Sequence, residues 1–258
     1  MNSLLKNPDL TIIVPCLNEE KNILNTLNSL SLALIKFNIS GEIIVIDDGS
    51  TDNTYQVLEN NKYKFENIRI IKNNINKGIG KSFSSSVKIS NGNYIVMIPG
   101  DNENNPFEVF RYFELRNHVD IIIPFIVNRN SRSLNRRLIS SIFRFINNLF
   151  FGLTLNYMNG TVIYNAEMIK SVEISSSGFF YQTEILIKLI RQGYLYAEIP
   201  QIIEKRNHGS SKALTIKSLI SVLISFIILL YNIHILRSCG MATAYFSKKT
   251  ASANRLNL

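Results

Sequence analysis

Apolar residues alternate in kind along this chain, with short runs giving way to helical spacing and back again. Leu10-Thr11-Ile12-Ile13-Val14 reads as a strand stopped by Pro15. Ile23, Leu27, Leu30, Leu34 and Phe37 then recur at helical spacing in a segment opened by Asn18-Glu19-Glu20 and ended at Asn38 to Gly41. Ile43-Ile44-Val45-Ile46 is a run fit for a strand buried on both faces. Tyr55 to Asn60 predicts a short helix, Ile68 to Ile71 a third strand, and Phe83 with Val87 the face of a further helix. Asn93 to Ile98 makes a fourth strand, and a helix is expected from Pro106. Asp120 to Phe125 is another strand, and Gly160 to Tyr164 and Tyr196 to Ile203 are two more. Tyr181 to Gln192 is a helix with Ile185, Leu186, Leu189 and Ile190 inward. Strands alternating with helices predict an α/β fold with a doubly wound, mostly parallel sheet.

Two strands of this pattern deliver acids at their carboxyl ends. Asp47-Asp48-Gly49-Ser50-Thr51-Asp52 follows the central strand, and Asp101-Asn102-Glu103 follows the fourth. Open α/β sheets bind ligands there. Gly49 permits a tight turn, and Ser50, Thr51 and Asp52 are all good helix N-caps. Asp101 and Glu103 stand two apart, so both can turn toward one ion. Their hard oxygens suit Mg2+ or Mn2+, with a diphosphate and waters completing the shell. Loop chemistry ahead of a helix explains Asp101 to Glu103 equally well. Gly80-Lys81-Ser82 is not a P-loop, because Ile75 stands where its first glycine belongs. A dinucleotide fingerprint from Gly78 fails at Phe83. What remains is a loop before a helix, open to close backbone approach or to a simple turn.

Composition changes the picture modestly. The chain has 258 residues, enough for one large domain or a domain with an appendage. Charged residues are 18% of the chain, and Lys and Arg exceed Asp and Glu for a net charge of +9. Such a balance suits phosphate-rich ligands, nucleic acid or an anionic membrane. The basic residues are dispersed and no aromatic-basic module accompanies them, so no nucleic-acid partner is expected. Cys16 and Cys239 form no disulfide framework, which points to a reducing compartment. Met1 to Leu10 lacks a long apolar run, so no secretory signal is expected.

Two later segments are apolar in a different way. Leu138 to Ile146 is apolar on much of its circumference, and Arg129, Arg132, Arg136 and Arg137 precede it. This pattern fits a membrane-surface helix, or a core helix with a solvated basic end. Ser218 to Leu236 contains no Asp, Glu, Lys or Arg, and as a helix it would reach roughly 28 Å, close to a bilayer's hydrocarbon core. A membrane-embedded or membrane-lying helix is expected. The chain divides accordingly into a domain at 1–213, an apolar helix at 214–237 and a basic tail at 238–258.

Four stretches, in order, resemble the motifs of family 2 glycosyltransferases. They are Val14 to Glu20, Asp47 to Asp52, the glycine loop Asn76 to Gly80, and Asp101-Asn102-Glu103 at the place of the metal motif. Glu198-Ile199-Pro200, followed by Arg206, Gly209, Ser211 and Lys212, is similar to the acceptor-side motif of polyprenyl-phosphate sugar transferases of the dolichol-phosphate mannosyltransferase type. The resemblance spans residues 9–212. It implies a GT-A fold, a UDP- or GDP-sugar donor, a divalent cation, a lipid-phosphate acceptor and inversion at the transferred sugar. It places Pro15, Glu19, Asp47, Asp48, Gly78 and Lys81 at the nucleotide. Asp101 and Glu103 fall at the metal, and Arg206, Ser211 and Lys212 at the acceptor phosphate or donor diphosphate. It implies the cytoplasmic face of a membrane, taken as the bacterial inner membrane, and a role in envelope glycan synthesis.

Two departures stand out. Glu103 is one methylene longer than the aspartate of the metal motif, and Gly160-Thr161-Val162 replaces the family's Gly-Phe-Arg, so an arginine is missing. Glu184 is open to three roles: base for a hydroxyl acceptor, orienter of the donor sugar, or an acid suited to a helix dipole. A lipid phosphate is already anionic and needs no base. Two other functions remain compatible: transfer to a hydroxyl of a glycan or glycolipid, and a catalytically silent binder of nucleotide sugar.

Overall fold

The computed structural model describes residues 7–128, 134–203 and 215–236. Seven strands form one sheet: β1 Leu10–Cys16, β2 Gly41–Asp47, β3 Ile68–Lys72, β4 Tyr94–Met97, β5 Ile121–Ile126, β6 Ile163–Asn165 and β7 Tyr196–Gln201. Their order across the sheet is β3-β2-β1-β4-β6-β5-β7. All run parallel except β6, which is antiparallel to both β4 and β5. The sheet is thus mostly parallel, as the strand–helix alternation predicts.

Among the described residues, eight α-helices accompany the sheet: α1 Ile23–Lys36, α2 Thr54–Asn61, α3 Ile79–Ile89, α4 Pro106–Phe110, α5 Leu134–Phe151, α6 Ala166–Lys170, α7 Tyr181–Arg191 and α8 Ile216–His234. Side chains alternate across each strand, so one run of isoleucines feeds two cores. Ile12, Val14, Ile43 and Val45 pack with Leu27 and Leu30 of α1 and with Phe110 and Phe113. Ile13, Ile44 and Ile46 pack on the other face with Phe83 of α3 and with Ile185 and Leu189 of α7. Each fully buried side chain of this size contributes about 1.5–3 kcal/mol of transfer free energy.

Several boundaries differ from the sequence reading. Helix α1 begins at Ile23, because Asn18 to Asn22 form a loop whose polar groups bind a neighbouring loop. Helix α5 is twice the expected length; it takes in Leu134 to Arg137 before Leu138 to Ile146 and Asn147 to Phe151 after it. Strand β6 starts at Ile163, later than Gly160, since a Cβ on Gly160 would lie 2.7 Å from the Pro124 carbonyl oxygen in a close loop crossing.

Helix α8 is the one helix among the described residues long and apolar enough to cross a membrane. It lies along the domain. Leu229 and Ile233 enter the core shared with Phe151 and Phe180. Phe226 stacks edge-on against Phe150, Phe151 and Phe180, and His234 Nε2 sits 2.9 Å from the Phe150 carbonyl oxygen. Its outer face, with Leu223, Ile224, Ile227 and Ile228, is exposed. So are Leu138, Ile142, Phe145 and Leu149 of α5.

Candidate active site

The strand order reverses between β1 and β4: β2 and β3 follow on one side, and β4 begins the other. Ligands of open α/β sheets bind at the carboxyl ends of strands at such a switch point. The ends are tied together here. Ile98 N–H donates to Ile13 O at 2.9 Å, Gly100 N–H to Pro15 O at 3.0 Å, and Asp48 N–H to Cys16 O at 2.9 Å. A cleft of about 920 Å3 opens above them. Pro15, Glu19, Asp48, Gly78, Asp101 and Glu103 all line it. The motif resemblance names the same six positions.

The loops after β1 and β2 are joined side chain to backbone. Asn18 adopts a left-handed φ of 60°, which turns its amide to accept the Thr51 N–H at 2.8 Å. Asn18 N–H donates to Ser50 Oγ, Glu19 N–H to Thr54 Oγ1, and Glu20 N–H to Asp52 Oδ2. Ser50 and Thr51 therefore serve this seam, while Asp52 serves both it and the helix start, its Oδ1 accepting the Thr54 N–H at 2.9 Å; the N-cap of α2 is Asn53, without a side-chain bond. The glycine loop is fastened by Asp48. Its Oδ1 accepts Asn73 Nδ2 at 2.8 Å and Lys77 N–H at 3.1 Å, and its Oδ2 accepts Gly78 N–H at 2.9 Å. Gly78 has φ +91°, and a Cβ there would lie 2.7 Å from Ser177 O. A Cβ on Gly80 would collide with Ser176 O, and Gly80 N–H donates to Ser177 O at 2.8 Å. These glycines thus let the loop pack against residues 175–177.

Not all predicted residues reach the cleft. Asp47 is fully buried; its Oδ1 accepts Ser50 N–H at 2.9 Å, while Oδ2 has no hydrogen-bond partner among the described residues. Cys16, beside it, has its thiol pushed up by burial and then by Asp47 and neighbouring acids, so it stays protonated. Lys81 is exposed on α3 and does not line the cleft. Arg206, Ser211 and Lys212 lie outside the described residues.

Glu184 also stands apart from the cleft lining, and its oxygens are engaged. Oε1 accepts Ser175 N–H at 3.0 Å and Lys188 Nζ at 2.6 Å, and Oε2 accepts Ser176 N–H at 2.8 Å. Burial alone would raise its carboxyl, but the Lys188 ammonium and the two N–H donors hold it below the usual range. This geometry fits a positioning residue: Glu184 holds the 175–177 segment against which the glycine loop rests. The base role, one of three that the sequence leaves open for Glu184, would require these bonds to be released first.

Asp101 and Glu103 both face the cleft from a turn closed by Glu103 N–H donating to Asp101 Oδ1 at 3.1 Å, with Asn102 left-handed at φ 59°. Two hard carboxylates on one wall fit a divalent cation whose remaining ligands are diphosphate oxygens and water. Among the described residues no group of three His, Cys, Asp or Glu converges as a self-sufficient metal site.

Other cleft residues were not legible as such. Arg136 of α5 lines it, its Nη2 4.0 Å from Glu103 Oε2. A cation thus stands in the cleft although the expected arginine after Gly160 is absent. Lys217 and Ser218 line it from α8, and Gln182 from α7. Gln182 is buried and donates through Nε2 to Gly160 O. Its one sequence signal is a polar side chain on the buried face of a helix.

The comparisons with known proteins agree with this architecture. Residues 11–190 match the family model for glycosyl transferase family 2. The chain belongs to that family. It is 26% identical over 179 residues to a dodecaprenyl-phosphate galacturonate synthase of Rhizobium johnstonii, covering 67% of this chain and 52% of that protein. It is 30% identical over 129 residues to a poly(ribitol-phosphate) beta-glucosyltransferase of Bacillus spizizenii, covering 48% and 20%. The chain therefore spans about half the length, or less, of these curated relatives. Its fold resembles glucosyl-3-phosphoglycerate synthase of Mycobacterium tuberculosis, solved with Mn2+, UDP and glucosyl-3-phosphoglycerate, with a TM-score of 0.62 at 20% identity over 87% of this chain and 79% of that one. The same enzyme with Mg2+ and UDP gives a TM-score of 0.66 at 18% identity, with the same coverage of both chains. The fold is thus of the GT-A type, in a chain of glycosyl transferase family 2.

Proposed function

We propose that this glycosyltransferase moves a sugar from a nucleoside-diphosphate donor to a polyprenyl phosphate at a membrane surface, with inversion. One observation carries the reading: the two ends of the cleft differ in chemistry. Carboxylates of Glu19, Asp48, Asp101 and Glu103 line the sheet end. Ile139 and Phe143 of α5 and Leu219 and Val222 of α8 line the other, where both helices turn apolar faces outward. A lipid phosphate is polar at its reacting end and apolar beyond it. The name of the Rhizobium relative, a dodecaprenyl-phosphate sugar synthase, supports the same acceptor class.

In this reading Pro15, Glu19 and the Asp48-anchored loop hold the nucleoside, with Asp47 beneath them. Asp101 and Glu103 would hold Mg2+ or Mn2+, which when bound neutralises charge growing on the departing nucleoside diphosphate. Arg136, Ser140 and Lys217 also line the cleft and would hold the acceptor phosphate, Arg136 from beside Glu103. Its oxygen attacks the anomeric carbon, the bond to the diphosphate breaks, and no proton need leave the nucleophile. Gln182, fixed on Gly160, would hold the donor sugar. Arg206, Ser211 and Lys212 remain proposed acceptor-side residues, and Lys81 is a weaker candidate for the donor because of its exposure. The membrane face is the cytoplasmic one, where nucleotide sugars are found, and α8 would lie on it.

Purified protein with Mn2+, a panel of labelled UDP- and GDP-sugars and undecaprenyl phosphate tests this reading. Label entering the organic phase, and lost with EDTA and in Asp101→Ala, is the expected result. Nucleotide release only on adding a glycan acceptor would instead assign hydroxyl transfer.

A further inference from the structure

Beside the cleft, and sharing Arg136, Ser140 and Tyr157 with it, lies a second cavity of about 270 Å3 between α5 and the loop at Asn156 and Tyr157. Arg136, Arg137 and Arg144 all line it, with the hydroxyl-bearing Ser140 and Ser141. The spacing explains the convergence: Arg137, Ser141 and Arg144 stand at i, i+4 and i+7, one stripe of a helix. No carboxylate lines the cavity among the described residues. The nearby Glu198 is occupied by Asn156, accepting its N–H at 2.7 Å and its Nδ2 at 2.9 Å. Only Arg136 has an ion-pair partner among the described residues, Glu103 of the cleft.

With Arg136 paired to Glu103, the half-buried Arg137 and Arg144 are left to repel each other across one small cavity, an arrangement that a shared anion would stabilise. Two arginines suffice to fork a phosphate from two sides. The first turn of α5 adds its positive dipole end. The mouth is apolar: Leu134 and Leu138 line it and are exposed, continuous with the outer face of α5. An anion with an apolar body fits this combination better than a free one.

We infer that Arg137 and Arg144 form a phosphate site for the headgroup of an anionic membrane lipid, distinct from the acceptor in the cleft. The bound lipid is not consumed. It sets the depth and rotation of α5 on the membrane, so that the cleft opens to the bilayer. This inference goes beyond the proposed reaction and is read out without turnover.

The test is flotation of the full chain with vesicles of phosphatidylcholine alone, or with phosphatidate or phosphatidylglycerol added. Arg137→Gln/Arg144→Gln is compared with Lys62→Gln/Lys88→Gln, which removes the same charge from a distant surface. Both pairs should keep the thermal midpoint of the parent. We expect the arginine pair to lose at least tenfold of the preference for anionic vesicles, and the lysine pair no more than about threefold, as general screening-dependent attraction predicts. Arg137→Lys/Arg144→Lys should keep general attraction but lose discrimination of phosphatidate from phosphatidylglycerol, because an ammonium cannot fork a phosphate. Equal losses in the arginine and lysine pairs overturn the site. Inorganic phosphate competing as well as short-chain phosphatidate, at equal concentration, overturns the lipid source.

Discussion

Asp48 Oδ2 accepts the Gly78 N–H at 2.9 Å, so an acid at the end of β2 holds the loop that leads into α3. With Oδ1 on Asn73 and Lys77, the carboxylate closes three donors at once. These three bonds hold the loop as part of the cleft wall.

Asp48→Ala should strand Asn73 Nδ2 and the Lys77 N–H at a site where Asp48 is 5% exposed, while the Gly78 N–H keeps Asn76 Oδ1 as an acceptor at 2.9 Å. Leaving buried donors unmet costs about 1–3 kcal/mol each, partly offset where water enters. The expected outcome is a lower melting temperature together with weaker UDP binding by calorimetry. Gly78→Ala should weaken UDP binding as well, since φ +91° and the Ser177 oxygen both oppose a Cβ. A full-affinity Gly78→Ala protein would mean the loop does not shape the donor site.

Glu184→Gln separates structure from catalysis. Breaking a buried pair while leaving Lys188 charged costs about 3–5 kcal/mol, and Glu184→Gln/Lys188→Met should recover much of it. The folded carboxyl lies below its ordinary value, so its contribution is complete above that value and is lost as pH falls through the folded one. Parent protein should thus lose stability on acidification from this pair, and the double variant should lose less. Across the pH range the double variant should keep the parent's pH–rate profile; loss of the acidic limb, which a carboxylate base produces because it must be deprotonated to act, would assign Glu184 as a base.

Glu42 offers an independent acid-sensitive tie. Burial would raise its carboxyl, but Thr11, Asn91 and the Arg69 guanidinium together hold it below the usual range. It joins β2 to the turn between α3 and β4. Glu42→Gln should flatten the acid limb of the stability curve and leave UDP binding unchanged, since the site is at the sheet's opposite end from the cleft.

The strands and the cleft's acidic end were legible because both are local. Four-residue isoleucine and valine runs cannot be hidden on a sheet this size except between two helix layers. Acids at strand ends mark the switch point whatever follows. The direction of β6 was not legible, because a three-residue strand arriving after a long excursion carries no pattern that fixes its sense. The engagement of Glu184 was not legible for a related reason: its position in the first turn of α7 is visible, but its partners at Ser175 and Ser176 belong to a loop that folds back over it. Arg136 was legible as part of a basic cluster, yet its approach to Glu103 depends on how α5 crosses the sheet.

That approach gives a prediction of opposite signs. Arg136→Gln removes a positive charge 4.0 Å from Glu103. Mn2+ should then bind the UDP-loaded protein more tightly, on the order of threefold to tenfold, since a like charge has left a partly exposed site. The KM for the lipid phosphate should rise instead. Glu103→Gln should weaken Mn2+ binding and leave metal-free UDP binding unaltered. Electron paramagnetic resonance of bound Mn2+ measures the first and third effects without turnover. Weaker Mn2+ binding in Arg136→Gln would remove Arg136 from the neighbourhood of the metal.

Helix α8 has two apolar faces with different fates, and paired substitutions distinguish them. Leu229 and Ile233 are buried against the domain, so Leu229→Ala should cost about 2–5 kcal/mol and lower the melting temperature in detergent. Ile224 and Ile227 are 53% and 54% exposed, so Ile224→Asp/Ile227→Asp should leave that temperature near the parent's while abolishing flotation with vesicles. The reasoning is that a helix lying on the bilayer loses its binding face to the acids, whereas the domain never packed on that face. A spanning helix behaves otherwise: two aspartates at its middle prevent insertion, and the parent protein resists alkaline carbonate extraction. The packing of Phe226 against Phe150, Phe151 and Phe180 favours the lying arrangement, because withdrawing α8 into a bilayer would expose those rings. Carbonate extraction of the parent protein is the deciding measurement. Release into the soluble fraction is expected, and retention in the pellet would assign α8 as a span.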